Sequence, residues 1–185
     1  MKQSKRRPYL LCVTGLKNSG KTTVCTALIA DLTARGFRVG ALKSSHVTRL
    51  ALDHQAGDSY ALAESGAHFV LVQGPEQSLI LERGSRSFRQ MLDRVPGQVD
   101  YVVSEGGEAR AADTVILCLA DPADWEETLR VRRIPGDRIL AVSGSFLRDR
   151  RIKTVHGVPA YDAARPEDRQ ALVERILQAA GQRRT

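Results

Sequence analysis

Residues 15 to 23 read Gly-Leu-Lys-Asn-Ser-Gly-Lys-Thr-Thr, and each residue type in this stretch suits a task around a chain of phosphates. Gly15 and Gly20 let successive backbone N–H groups turn inward, and a helix starting here adds partial positive charge. Lys21 has the reach for the β- and γ-phosphates, while the Thr22 hydroxyl is a hard oxygen ligand for Mg²⁺. Asn18 and Ser19 shape the loop, and Lys17 and Thr23 complete the nucleotide-binding set. The spacing implies a site for a purine nucleoside triphosphate with Mg²⁺. A chance match is disfavoured by the context, an apolar strand before the loop and a helix after it. No Asn-Lys-x-Asp guanine signature occurs in the chain, so the residues leave ATP and GTP both open.

Such a site needs a second carboxylate near the metal, at the end of another buried strand. Val102-Val103-Ser104-Glu105-Gly106-Gly107 offers one: Glu105 follows an apolar run, beside glycines that let the chain turn close to a phosphate. The reading of Glu105 as a catalytic or metal-site acid, with Lys21 as the other catalytic group, outweighs that of an exposed loop acid, because strand ends are the functional edge of such sheets. Asp53-His54-Gln55-Ala56-Gly57-Asp58-Ser59 is a second gathering of acids. Asp53 is the candidate metal ligand there, and a solvated turn is an equally good account. Lone histidines such as His46, His54 and His68 are more often structural or solvated than ligands.

These groups must be carried by a scaffold. Tyr9 to Thr14 is a short apolar run, and Thr22 to Arg35 repeats apolar residues at Val24, Ala27, Leu28 and Leu32, a helical spacing. Gly36 stops that helix, and Arg38 to Leu42 follows as a strand. Further strands are expected at Phe69 to Val72, Ser78 to Glu82, Asp100 to Ser104, Thr114 to Leu119 and Ile139 to Ser143. Short helices are expected at Ser59 to Ser65 and Phe88 to Val95, and a terminal helix from Pro166 with Leu172, Val173, Ile176, Leu177 and Ala180 as its apolar stripe. The expected fold is α/β, a mainly parallel sheet flanked by helices on both faces, in one domain over residues 1–185 with residues 1–7 as a tail.

Composition narrows the class. Hydrophobic residues make up 42% and charged residues 26%, ordinary values for a globular chain. No apolar run approaches the roughly 18 residues a spanning helix needs. Cys12, Cys25 and Cys118 are odd in number and sit in apolar surroundings, which favours reduced, packed thiols in a cytoplasmic protein. The net charge of +7 is spread over both termini and the 148–153 segment. It lacks the aromatic interleaving of a nucleic-acid site, so nucleic acid is not the expected partner.

The order of motifs is familiar: the phosphate loop, a strand ending in Leu42-Lys43, Asp53-His54 with Gly57-Asp58-Ser59, Glu64-Ser65-Gly66-Ala67, Ser104-Glu105-Gly106, and the tail Gly157-Val158-Pro159-Ala160-Tyr161-Asp162. In this it resembles the molybdopterin-guanine dinucleotide biosynthesis protein B (MobB) family of P-loop NTPases. The resemblance implies a cytoplasmic, homodimeric GTP-binding adaptor with slow intrinsic hydrolysis. It would assist a guanylyltransferase partner in attaching GMP to molybdopterin. By position, Lys21 and Thr22 would hold phosphates and Mg²⁺, Glu105 would belong to the second metal-site motif, and Asp53 and Asp58 would face the nucleotide or an anionic pocket. Lys43, His46 and Asp58 are the candidates for an anion or second-ligand site. The chain departs from the family pattern at Ser44-Ser45-His46, where several histidines are usual, at Ala61, where an arginine is usual, and at Gly107-Glu108, where a more basic ending is usual.

Two other activities fit the loop. A small-molecule kinase would use Asp53 or Glu105 to accept a hydroxyl proton and an arginine lid such as Arg148, Arg150 and Arg151. A metal-insertion GTPase is suggested by Ser104-Glu105-Gly106-Gly107, but the cysteines lack metal-ligand spacing.

Overall fold

The computed structural model describes residues 7–45, 57–82, 84–148 and 152–182, with the backbone alone for 57–60. In chain order the elements are β1 (Tyr9–Gly15), α1 (Lys21–Ala34), β2 (Val39–Lys43), α2 (Gly57–Glu64), β3 (Phe69–Gln73), β4 (Ser78–Glu82), α3 (Phe88–Leu92), β5 (Tyr101–Glu105), β6 (Thr114–Cys118), α4 (Trp125–Arg132), β7 (Ile139–Ser143), β8 (Thr154–Val155), β9 (Val158–Pro159) and α5 (Pro166–Gln182). Contacts divide the chain into two compact units, one running to Ser44 and resuming at Met91, the other spanning Ser45–Gln90.

In the first unit five strands form a parallel sheet in the order β2-β5-β1-β6-β7. The central strand β1 is buried at every residue, which is why it reads as a continuous apolar run rather than an alternating one. Leu11, Val13, Val103 and Ile116 of the sheet share a core with Val24, Leu28 and Leu32 of α1 and with Leu172, Val173, Ile176 and Ala180 of α5. The chain leaves β1 toward β2 on one side and later returns to build β6 and β7 on the other. The carboxyl end of β1 is therefore the point where strand order reverses, the usual ligand crevice of an open α/β sheet.

The second unit holds α2 and an antiparallel pair, β3 with β4, in the register Phe69↔Glu82, Leu71↔Ile80, Gln73↔Ser78. These strands pair with each other and do not join the parallel sheet. Only residues 74–77 connect them, closed by Gly74 N–H donating to the Gln77 carbonyl at 2.9 Å, and a parallel crossover needs a dozen residues or more.

Helix α4 has no counterpart among the sequence-based expectations. Half of its eight residues are charged and it buries only Trp125 and Thr128, too weak a stripe to announce a helix. It is entered through reciprocal side-chain to backbone bonds between Asp121 and Asp124, a capping box that the sequence does carry. The helix expected over Phe88 to Val95 ends at Leu92, and Val95 instead closes a turn onto the Leu92 carbonyl.

Candidate functional site

The phosphate loop bridges the last residue of β1 and the first residue of α1. Gly15 has no room for a side chain, since a Cβ there would lie 2.1 Å from the Cys118 carbonyl oxygen of the neighbouring strand. Asn18 and Gly20 take positive φ, 62° and 85°, a conformation that glycine adopts freely and asparagine tolerates. Ser19 is fully buried, and its hydroxyl donates to the Leu16 carbonyl at 2.9 Å. The Lys21 ammonium also donates to Leu16 and lies 3.5 Å from the Ser19 hydroxyl. Partial burial lowers the pKa of Lys21, and the Arg132 guanidinium pushes the same way while Glu105 opposes it. Lys17, Asn18, Thr22 and Thr23 are exposed around the rim.

The loop is braced from beneath by the turn after β7. Ser145 N–H donates to the Ser19 carbonyl at 3.2 Å, and the Ser145 hydroxyl donates to the Asn18 carbonyl at 3.2 Å. The close approach depends on Gly144, at φ 130°, where a Cβ would lie 2.1 Å from the Leu119 oxygen and 2.8 Å from the Ser19 oxygen. Sequence reading missed this role of Gly144 and Ser145. The only available signal was a glycine at a strand end, which does not say what packs on it.

Glu105 is the last residue of β5, one position inside the strand rather than beyond it. The Thr22 hydroxyl donates to Glu105 Oε2 at 2.9 Å, and Lys43 Nζ lies 3.2 Å from Glu105 Oε1. Register explains the grouping: β5 pairs Glu105 with Val13 of β1 on one side and with Lys43 of β2 on the other. After Glu105 the chain turns through Gly106 and Gly107, both at positive φ, and the Ser104 hydroxyl donates to the Gly106 carbonyl at 2.8 Å. A threonine hydroxyl and a carboxylate side by side at the mouth of a phosphate loop are hard oxygen donors. They suit Mg²⁺, which takes only one or two protein oxygens and fills the rest of its octahedron with phosphate oxygens and water. Among the described residues no three His, Cys, Asp or Glu side chains gather as a metal site of their own.

Asp53, His46 and His54 lie outside the described residues. Asp58 belongs to α2 in the second unit, and its side chain is likewise outside the description. His68 is exposed. Of the arginines considered as a lid, Arg150 and Arg151 lie outside the described residues, and exposed Arg148 offers its carbonyl to Arg165.

No helix among the described residues is long and apolar enough to cross a membrane. The thiols are buried: Cys12 donates weakly to the Gly106 carbonyl at 3.4 Å, and burial pushes Cys12 and Cys25 up to about 12.

One arginine near the loop was not foreseen. Arg132, at the end of α4, donates through Nε to the Gly15 carbonyl at 3.0 Å. No pattern in the sequence flags it, because it lies in a run of three arginines among four residues on a helix with little apolar periodicity.

Known proteins share this architecture. The sequence profile of the family described as molybdopterin guanine dinucleotide synthesis protein B matches residues 10–129. The molybdopterin-guanine dinucleotide biosynthesis adapter protein of Haemophilus influenzae is 31% identical over 113 residues, a stretch covering 58% of this chain and 62% of that relative, so the match spans less than two thirds of its length. A crystal structure of molybdopterin-guanine biosynthesis protein B superposes with a TM-score of 0.65 at 26% identity, over 91% of this chain and 97% of the other. The structure of Bacillus subtilis MobB reaches a TM-score of 0.69 at 19% identity, covering 90% and 97% of the two chains, a likeness of fold. The five-stranded parallel sheet flanked by helices is thus a P-loop NTPase fold. With the family profile matching over half of its 185 residues, the chain belongs to the molybdopterin guanine dinucleotide synthesis protein B (MobB) family.

Proposed function

We propose that this protein is a GTP-binding adaptor of molybdenum cofactor maturation, working with a guanylyltransferase that joins GMP to molybdopterin. The observation that carries the reading is the convergence of Lys21, Thr22 and Glu105 at one end of the sheet. The adapter role is supported by the Haemophilus influenzae relative, an adapter protein of molybdopterin-guanine dinucleotide biosynthesis. In this reading the amides of residues 15–22 cradle the phosphates, Lys21 spans the β- and γ-phosphates, and Thr22 with Glu105 holds Mg²⁺, which neutralises phosphate charge when bound. The Glu105 carboxylate at the loop is committed to Thr22 and Lys43. That arrangement suits binding and signalling better than fast phosphoryl transfer to an acceptor. The working form in this reading is a cytoplasmic homodimer, with molybdopterin as the second ligand.

The test is calorimetric titration with GTP and with ATP, each with and without Mg²⁺, on the wild type and on Lys21→Ala. Mg²⁺-linked, guanine-selective binding that Lys21→Ala removes supports the adaptor. Preference for ATP overturns it in favour of a small-molecule kinase.

A further inference from the structure

Arg132 is half-buried, and its one hydrogen bond among the described residues runs from Nε to the carbonyl of Gly15, the first residue of the phosphate loop. No carboxylate lies within ion-pair distance of it there: the loop's acid, Glu105, is held by Thr22 and Lys43. Both terminal nitrogens of the guanidinium are thus left with their N–H donors for something else. Lys21 is close enough for the two positive charges to repel. A half-buried arginine beside a lysine, with no ion-paired acid of its own among the described residues, is an arrangement that an anion stabilises and that its absence penalises.

The arginine is also firmly placed. Thr128, one helical turn earlier on the same face of α4, is fully buried, and Trp125, a turn before that, is nearly so. The Trp125 ring stacks on His156 with centroids 4.7 Å apart. The helix that carries Arg132 is therefore packed down, and the Nε contact fixes the plane of the guanidinium. A planar fork of donors matches phosphate oxygens in pairs, which an ammonium cannot do. The position along the loop selects which phosphate. The loop amides cradle the inner phosphates and the Lys21 side chain reaches the β- and γ-phosphates, so the anion offered to Arg132, the cation beside Lys21, is at the outer end.

We propose that Arg132 is a ligand for the terminal phosphoryl group of a bound nucleoside triphosphate, so that this chain distinguishes triphosphate from diphosphate with an arginine of its own rather than one lent by a partner. The proposal rests on the nucleotide-binding reading above and adds the group that reads the third phosphate. On loss of the terminal phosphate the guanidinium keeps only its Gly15 contact, and α4 loses its tie to the ligand.

The experiment is a binding series with GDP and with the non-hydrolysable β,γ-imido analogue of GTP, each in Mg²⁺, with the adenine counterparts run alongside. The proteins are the wild type, Arg132→Ala, Arg132→Lys and Lys21→Ala. Arg132→Ala is expected to weaken the triphosphate analogue by about 10- to 100-fold, the scale of losing a hydrogen bond to a charged group, and to change diphosphate binding by less than about threefold. Arg132→Lys, which keeps the charge but not the fork, is expected to fall between wild type and Arg132→Ala. Equal losses for diphosphate and triphosphate, or no loss for either, would overturn the proposal and leave Arg132 as a brace for the Gly15 carbonyl. Tight binding that survives in Lys21→Ala would instead overturn the assignment of the nucleotide to this loop, and no binding by the wild type would sink the nucleotide reading itself. Should Arg132→Ala fail to fold, the triphosphate-to-diphosphate ratio of Arg132→Lys decides: a ratio equal to that of the wild type overturns the proposal.

Discussion

The Thr22 hydroxyl and the Glu105 carboxylate meet at 2.9 Å although 83 residues separate them in the chain. A donor and an acceptor that would both turn oxygen lone pairs toward a cation are here satisfied by each other. Replacing Glu105 by Gln keeps the shape and the hydrogen bond but removes the charge. Nucleotide binding is expected to persist in Glu105→Gln, while the gain in affinity on adding Mg²⁺ falls by about tenfold, one charge-assisted contact's worth. Titration of nucleotide at graded Mg²⁺ concentrations checks this, and an unaltered Mg²⁺ response would return Glu105 to the role of a strand-end acid.

Lys43 lies on the other side of the same carboxylate, at 3.2 Å and largely exposed. An ammonium there competes with a divalent ion for Glu105. Lys43→Met is therefore expected to raise apparent Mg²⁺ affinity by about two- to fivefold, in keeping with the modest strength of exposed ion pairs, and high salt should erase the difference. If Lys43→Met instead weakens nucleotide binding at saturating Mg²⁺, Lys43 contacts a phosphate.

Gly144 supports the loop from below and has no space for a methyl group. Gly144→Ala must move either the Leu119 backbone or the Ser19 carbonyl, and it also strains a residue at φ 130°. A loss of on the order of 2–4 kcal/mol in stability is expected, together with weaker nucleotide binding. Gly136, where a Cβ meets nothing within 4 Å, is the control, and Gly136→Ala should be nearly neutral. Urea denaturation compares the two; equal effects would show that the turn after β7 does not brace the loop.

Burial holds the thiols of Cys12 and Cys25 up at about 12 against an ordinary value of 9.0, and Cys118 is raised as well. Between those values the unfolded chain releases thiol protons that the folded chain keeps, so the folded state loses stability as pH rises from about 9 toward 12. Well below pH 9, where the thiols are protonated in both states, they contribute no slope. Denaturation under reducing conditions at pH 8, 9 and 10 should show a decline of up to about 1.4 kcal/mol per thiol per pH unit. A Cys12→Ala, Cys25→Ala, Cys118→Ala variant should show a shallower decline, and an identical slope would refute the assignment.

What the sequence determined by itself was whatever depends on neighbours along the chain. The phosphate loop is legible because its glycines, lysine and threonine act through backbone geometry within nine residues. The strands of the parallel sheet are legible because burial on both faces forces apolar runs such as Leu10 to Val13 and Val115 to Cys118. Even the hairpin of β3 and β4 was written in a connection too short for a crossover. Glu105 could be placed at a strand end, and strand ends are where such sheets bind.

Only the tertiary structure decided which distant groups meet. Periodicity records which face of an element is buried, not which strand lies beside it, so the register that sets Lys43 and Val13 on either side of Glu105 had to come from the fold. The same holds for Gly144 beneath Ser19 and for Arg132 against Gly15. The charge of an arginine on a short, half-charged helix reads as a solvated face until packing turns it inward. Long-range pairing is set by the summed burial of the whole sheet, and no local stretch of residues carries that sum.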